Sequence, residues 1–230
     1  MSPMTSYDIL GHLVTMPVEV RDGSAGTALF DVDRAAAQAL VPAHFEVVES
    51  APGRAQLAIA LVDYRDNDLG AYHEVGIIVF VRPAAGGEDG NFIVHLPVDQ
   101  PFTCAAGNQI WGFPKSVQRI DVTQTPTSST WGLEMEGELV LRLTVPRGGT
   151  DEMPPLAMTT YTQLEGRPHA TAFSQGGAGS QYVFGAGGVS LVLGSHPIAR
   201  QLQSLGLPAP ALLSSWTEKM TATFEQPRPL

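Results

Sequence analysis

The sequence predicts an α+β fold, predominantly antiparallel β, on three observations. Seven segments rich in Val, Ile, Leu and aromatic residues are bounded by Gly, Pro, Asn and Asp clusters. Only two segments carry helix start and stop signals. Strands and helices do not alternate regularly, as a βαβ sheet would require.

In chain order, Asp33 caps an Ala-rich helix that runs to Leu40 and is stopped by Pro42. Strands follow at 55–62, 74–81 and 92–98. The uninterrupted apolar run 75–81 suits a strand covered on both faces. Further strands are expected at 117–122, 130–135 and 138–145, the last partly alternating in polarity. Residues 146–155 read as a long loop. The Gly-rich stretches 175–180 and 185–188 lack the full dinucleotide-binding spacing, so they read as turns or a mobile loop. A strand is expected at 182–193. Ser195 then caps a second helix, with Pro197 in its first turn, Ile198, Leu202 and Leu205 on one face, and Gly206 ending it. No internal repeat is present, and residues 1–230 are expected to form one domain.

Composition narrows the function. Hydrophobic residues make up 43% of the 230 and charged residues 16%, which describes a globular chain with a substantial core. A formal net charge of −10 with no basic cluster argues against nucleic-acid and anionic-membrane partners. Cys104 is the only cysteine, so neither an intramolecular disulfide nor a Cys-rich metal site can form. With no charge in Phe102-Thr103-Cys104-Ala105-Ala106, it reads as a small buried hydrophobe. The six histidines show no metal-ligand spacing, and a Gly-x-Ser-x-Gly elbow is absent. The first basic residue is Arg21 and the longest apolar run is too short for a bilayer, so a cytoplasmic location is expected.

Two segments carry candidate chemistry. Lys115, one of only two lysines, follows Ile110-Trp111-Gly112-Phe113-Pro114. A neutral lysine amine attacks carbonyl groups to give Schiff bases. Half-neutrality at pH 7 requires the pKa to fall from ~10.4 to about 7, a cost of about 4–5 kcal/mol. Complete burial can lower a lysine pKa by up to ~3–5, so desolvation is sufficient in magnitude. Trp111 and Phe113 supply apolar surface, and Pro114 and Gly112 set a stiff, close backbone. The second segment is Tyr72-His73-Glu74 at the head of the most apolar strand. Its period of two sends Tyr72 and Glu74 to one side and His73 to the other. A carboxyl beside a phenol at the mouth of a dry strand suits proton transfer. Gln109 precedes the lysine in an expected turn, where its amide could bind a substrate oxygen or tie down the loop. Arg65 and Arg119 are candidate carboxylate anchors by residue type alone, with no positional support, and a surface role is the default expectation for both.

Gly107-Asn108-Gln109-Ile110-Trp111-Gly112-Phe113-Pro114-Lys115, together with Gly70-Ala71-Tyr72-His73-Glu74, resembles the acetoacetate decarboxylase superfamily. The 33–42 segment and the order of later elements fit the same pattern. The resemblance implies a β-barrel or cone with few helices, Lys115 as the imine-forming amine, Glu74 as acid/base, and a multimeric assembly. Tyr72, Gln109, Trp111 and Phe113 then become substrate-binding candidates. The chain departs from the family decarboxylases at Ser116, where a second lysine stands, and at Gln56, where a second acid is expected. The family's N-terminal arginine has no match in register, Arg21 lying only nearby.

These departures favour aldol, retro-aldol or dehydration chemistry on a small 2-oxo or 3-oxo acid. The alternatives are β-keto acid decarboxylation and a non-catalytic pocket for a small ligand. No metal or organic cofactor is expected, because the lysine iminium is itself the electron sink.

Overall fold

Strands account for 62% of this computed structural model, which describes residues 5–230. They are β1 (Ser6–Ile9), β2 (His12–Thr15), β3 (Val18–Asp33), β4 (Phe45–Val47), β5 (Arg54–Asn67), β6 (Tyr72–Pro83), β7 (Gly90–Val98) and β8 (Lys115–Val117). After these come β9 (Arg119–Gln124), β10 (Ser128–Met135), β11 (Glu138–Pro146), β12 (Asp151–Leu164), β13 (Arg167–Phe184), β14 (Ser190–Leu193), β15 (Ala211–Phe224) and β16 (Arg228–Pro229). Three short helices interrupt them: α1 (Arg34–Gln38), α2 (Pro101–Ala106) and α3 (Pro197–Ser204). A π-helical turn, Gly107–Trp111, continues α2.

Seven strands close a barrel in the order β6–β5–β3–β15–β13–β12–β7, and β7 pairs back onto β6. All neighbours in it are antiparallel except β12 and β7. Closure leaves no free edge within the ring. β8 is added parallel to β7, with Lys115 opposite Leu96.

A second sheet, β14–β11–β10–β9, lies outside the barrel. Its Trp131, Leu133 and Leu141 share one apolar cluster with Phe30, Leu57 and Trp216 of the barrel strands. β6 explains why the apolar run is continuous. Val75, Ile77, Val79 and Val81 enter that outer cluster, while Tyr72, Glu74, Gly76 and Ile78 face the barrel interior.

Both expected helices form, with changes at their ends. Asp33 accepts a hydrogen bond from Ala36 N at 2.8 Å, as a cap should. The second helix is capped by His196 rather than Ser195: His196 Nδ1 accepts from Ile198 N at 3.2 Å, and Ser195 Oγ turns to Glu138. Strand 117–122 is divided between β8 and β9, and 182–193 between β13 and β14.

The larger corrections concern glycine. Residues 175–180 are neither turn nor mobile loop but the middle of β13, where a Cβ on Gly176 would come within 2.9 Å of Met153 O. Backbones approach so closely there that no side chain fits. The 146–155 loop shrinks to a short connection, because β12 begins at Asp151. β3 runs through Asp22-Gly23-Ser24 by shifting register there, and a Cβ on Gly26 would lie 2.6 Å from Trp216 Cε3.

Candidate active site

The barrel interior holds a cavity of about 120 Å³. Alternate residues of β6 (Tyr72, Glu74) and of β5 (Val62, Tyr64) line it. The π turn adds Trp111, and Phe113 and Lys115 follow it.

Several contacts deliver Lys115 there. Gly112 takes a left-handed φ of 69°, reverses the chain, and lies against the backbone of Gln163 with no room for a Cβ. Trp111 is pinned at both ends: its Nε1 donates to Glu225 O at 2.9 Å, and Thr162 Oγ1 donates to its carbonyl at 2.7 Å. Trp111 and Phe113 stack at 5.5 Å between ring centres. Asn108 grips the lysine backbone twice, accepting from Lys115 N and donating to Lys115 O, both at 3.1 Å. The lysine stem then crosses Gly107, where a Cβ would lie 2.5 Å from Lys115 Cδ. Gly107 is therefore the floor on which the stem lies.

The amine ends inside a closed set of partners. Lys115 Nζ lies 2.8 Å from Glu74 Oε2, with the two side chains only 4% and 10% exposed. It also donates to Thr103 Oγ1 at 3.0 Å and to Tyr72 OH at 3.4 Å. Three acceptors thus match the three ammonium hydrogens. Tyr64 OH donates to the other Glu74 oxygen, Oε1, at 3.3 Å. The Tyr64 and Tyr72 rings stack at 4.4 Å, which fixes both phenols relative to the carboxyl.

Burial alone pulls the Lys115 ammonium down, but the Glu74 carboxylate and then Tyr72 outweigh it, leaving its pKa above the ordinary value. The expectation of an amine neutralised by desolvation is therefore corrected: the neighbouring charge holds the proton. Burial likewise raises Tyr72, and raises Tyr64 well above the ordinary phenol value, with Glu74 adding to both. Both phenols remain protonated.

Glu74, Tyr72, Trp111 and Phe113 all line the cavity with Lys115, as the two motifs imply. Gln109 does not; it is exposed on the far side of the π turn, and its neighbour Asn108 holds the lysine instead. Cys104 is half-buried rather than buried. Arg65 is taken by Asp22 and Asp63, and Arg119 by Asp121 and Glu134. Gln56, opposite Asp31 on β5, lies outside the cavity, and Tyr64 is the residue that β5 brings to Glu74. Tyr64, Thr103 and Asn108 were not expected. Only Tyr64 left a trace in the sequence, as the end of the alternating series Ala60, Val62, Tyr64.

A sequence model described as acetoacetate decarboxylase matches residues 3–222. The chain belongs to the acetoacetate decarboxylase family. No curated protein matches it. Among solved structures, acetoacetate decarboxylase from Legionella pneumophila subsp. pneumophila str. Philadelphia 1 superposes with a TM-score of 0.70 at 18% identity, covering 93% of this chain and 87% of that one.

Other members of the fold are similar at lower identity. The enduracididine biosynthesis enzyme MppR, complexed with the condensation product of pyruvate and imidazole 4-carboxaldehyde, gives 0.62 at 17% identity, covering 100% and 97%. An acetoacetate decarboxylase-like enzyme from Sphingomonas wittichii RW1 gives 0.59 at 14% identity, covering 94% of each chain. All three share the barrel fold of this acetoacetate decarboxylase family member. No helix among the described residues is long and apolar enough to cross a membrane.

Proposed function

We propose that this family member is a lyase that works through a Schiff base on Lys115. The observation that carries the reading is the buried 2.8 Å pair of Lys115 and Glu74, facing a cavity with apolar walls. A carbonyl compound that fills the cavity expels its water, which weakens the charged pair relative to the neutral one. The proton then crosses from Nζ to Glu74 Oε2, and rotation about Cε–Nζ turns the free electron pair to the carbonyl carbon. Nitrogen bonds to that carbon; the carbonyl oxygen takes up the proton held by Glu74 and one from the nitrogen and leaves as water, which returns Glu74 to its carboxylate form. Tyr72 OH, 3.4 Å from Nζ, is the proposed donor to that oxygen. The resulting iminium accepts electrons from the adjacent carbon, so Glu74 can remove a proton there to give an enamine, or return one. Aldol, retro-aldol and dehydration steps follow from the enamine. MppR, a structural relative, has been captured with a condensation product of pyruvate.

Borohydride reduction in the presence of a panel of carbonyl compounds tests this. The expected result is a mass increase on Lys115 that Glu74→Gln slows by about 100-fold or more. No adduct on Lys115 with any compound would sink the mechanism. Comparing carbon dioxide release from acetoacetate with enone formation from acetone and an aldehyde separates the two reaction types, and enone formation is expected.

A second reading, a ligand-binding pocket without catalysis, draws on the raised pKa of Lys115 beside Glu74; absence of any adduct would favour it. An assembly of more than one subunit is also proposed, by family likeness, and sedimentation velocity tests it.

A further inference from the structure

We infer that the cavity takes an uncharged ketone or aldehyde with an apolar body, not a carboxylate-bearing oxo acid. This rests on the Schiff-base reading and names the substrate class of the same site. Among the described residues, Lys115 and Glu74 are the only charged side chains that line the cavity, and they balance one another. Each nearby arginine is turned outward and occupied. Arg21 follows cavity-lining Val20 on β3 but projects to the other face, 2.8 Å from Asp66 and 2.6 Å from Asp68. Arg65 follows Tyr64 on β5 and is forked onto Asp22 at 2.8 and 2.9 Å.

The balance persists along the reaction. With an uncharged substrate, the iminium nitrogen is positive and Glu74 negative, so the cavity remains neutral. A substrate carboxylate adds a buried negative charge with no cation left to meet it, and such a charge is strongly disfavoured in an apolar enclosure.

The remaining polar groups agree. Asn67 spends its amide on Gly70 O and Leu69 N, at 2.6 and 2.7 Å. Asn91, Thr160 and Gln175 line the cavity as neutral side chains. Asn91 is five residues along β7 from Leu96, the partner of Lys115, or about 16 Å of strand. The distal end thus offers neutral hydrogen-bonding groups for a hydroxyl, ester or amide, and the walls between offer Val62, Ile78, Ile93 and Phe224.

A β-hydroxy ketone fits the chemistry without any co-reactant. The carbon–carbon bond breaks toward the iminium, and the hydroxyl proton passes to Glu74. An aldehyde departs, the enamine regains that proton, and water frees the ketone. For 4-hydroxy-2-octanone the products are acetone and pentanal.

The test uses the native chain with 2-heptanone, 6-oxoheptanoate, pyruvate or acetoacetate at equal concentration under borohydride. Peptide mass compares Lys115 with Lys219, an exposed lysine that reports unselective alkylation. Relative to Lys219, 2-heptanone is expected to label Lys115 at least about tenfold faster than any of the acids. Equal or faster labelling by an acid overturns the inference and leaves the Schiff-base reading standing. Labelling of Lys219 alone by all four compounds overturns that reading as well. Gln175→Arg places a cation in the cavity and is expected to raise 6-oxoheptanoate capture about tenfold relative to 2-heptanone. An unchanged ratio in the folded variant overturns the charge explanation.

Discussion

Lys115 and Glu74 form an ion pair that is almost wholly buried. Removing one member of a buried pair strands the other, so Lys115→Met and Glu74→Gln are each expected to cost about 3–5 kcal/mol in urea denaturation. Replacing both, as in Lys115→Met with Glu74→Leu, is expected to return the chain to native stability or exceed it by up to about 4 kcal/mol, with no adduct formed. A double variant weaker than both singles would mean that the pair is structural.

The pH dependence has a definite sign. The folded pKa of Lys115 lies above its ordinary value, so the stabilisation is complete below the unfolded value near ~10.4 and lost as pH rises through the folded one. The stability gap between the native chain and Lys115→Met should hold from pH 7 to about 10 and shrink above that. A gap that closes on going from pH 9 to pH 7 would contradict the assigned charge state.

At the scale of elements, the π turn is the part that places the amine. Gly107→Ala drives a methyl group into the lysine stem and is expected to cost about 1–3 kcal/mol and to slow imine capture more than it weakens ligand binding. Asn108→Ala frees both backbone contacts to Lys115 and should show the same split between rate and affinity. A change in binding with no change in capture rate would remove the turn from this role. The sequence showed that a stiff segment delivers Lys115, because Gly112 and Pro114 act through local backbone rules. It also showed which side of β6 carries Tyr72 and Glu74, because strand alternation is local. It did not show that Asn108 rather than Gln109 faces the lysine. That choice depends on the extra residue of the π turn, which propensity does not encode. Thr103 reaches Nζ only through the packing of α2 against the barrel, again without a local signal.

For the whole molecule, a barrel with an outer sheet was partly legible. Strands with apolar runs were visible, but β3 was not expected, and the start of β12 and the middle of β13 read as loop or turn; all three carry Gly, Pro or Asp within their lengths. Those residues serve register shifts and close backbone approach, which exist only once the neighbouring strand is present. Gly26 lies where the barrel meets Trp216 and Val145. Gly26→Ala is expected to cost about 1–3 kcal/mol by overpacking, while the folded fraction still forms the Lys115 adduct. Loss of the adduct in folded protein would mean that strain at the outer sheet reaches the cavity.

One seam has a particular consequence. Glu74 belongs to β6, where it faces Val98 of β7, whereas Lys115 hangs from the opposite side through β8 on β7. The carboxylate and the amine that donates to it are therefore joined through two rows of hydrogen bonds, β6 to β7 and β7 to β8. Opening either row would part them, so on the proposed Schiff-base chemistry a local flicker in the ring would stop carbonyl capture while the rest of the barrel stays closed.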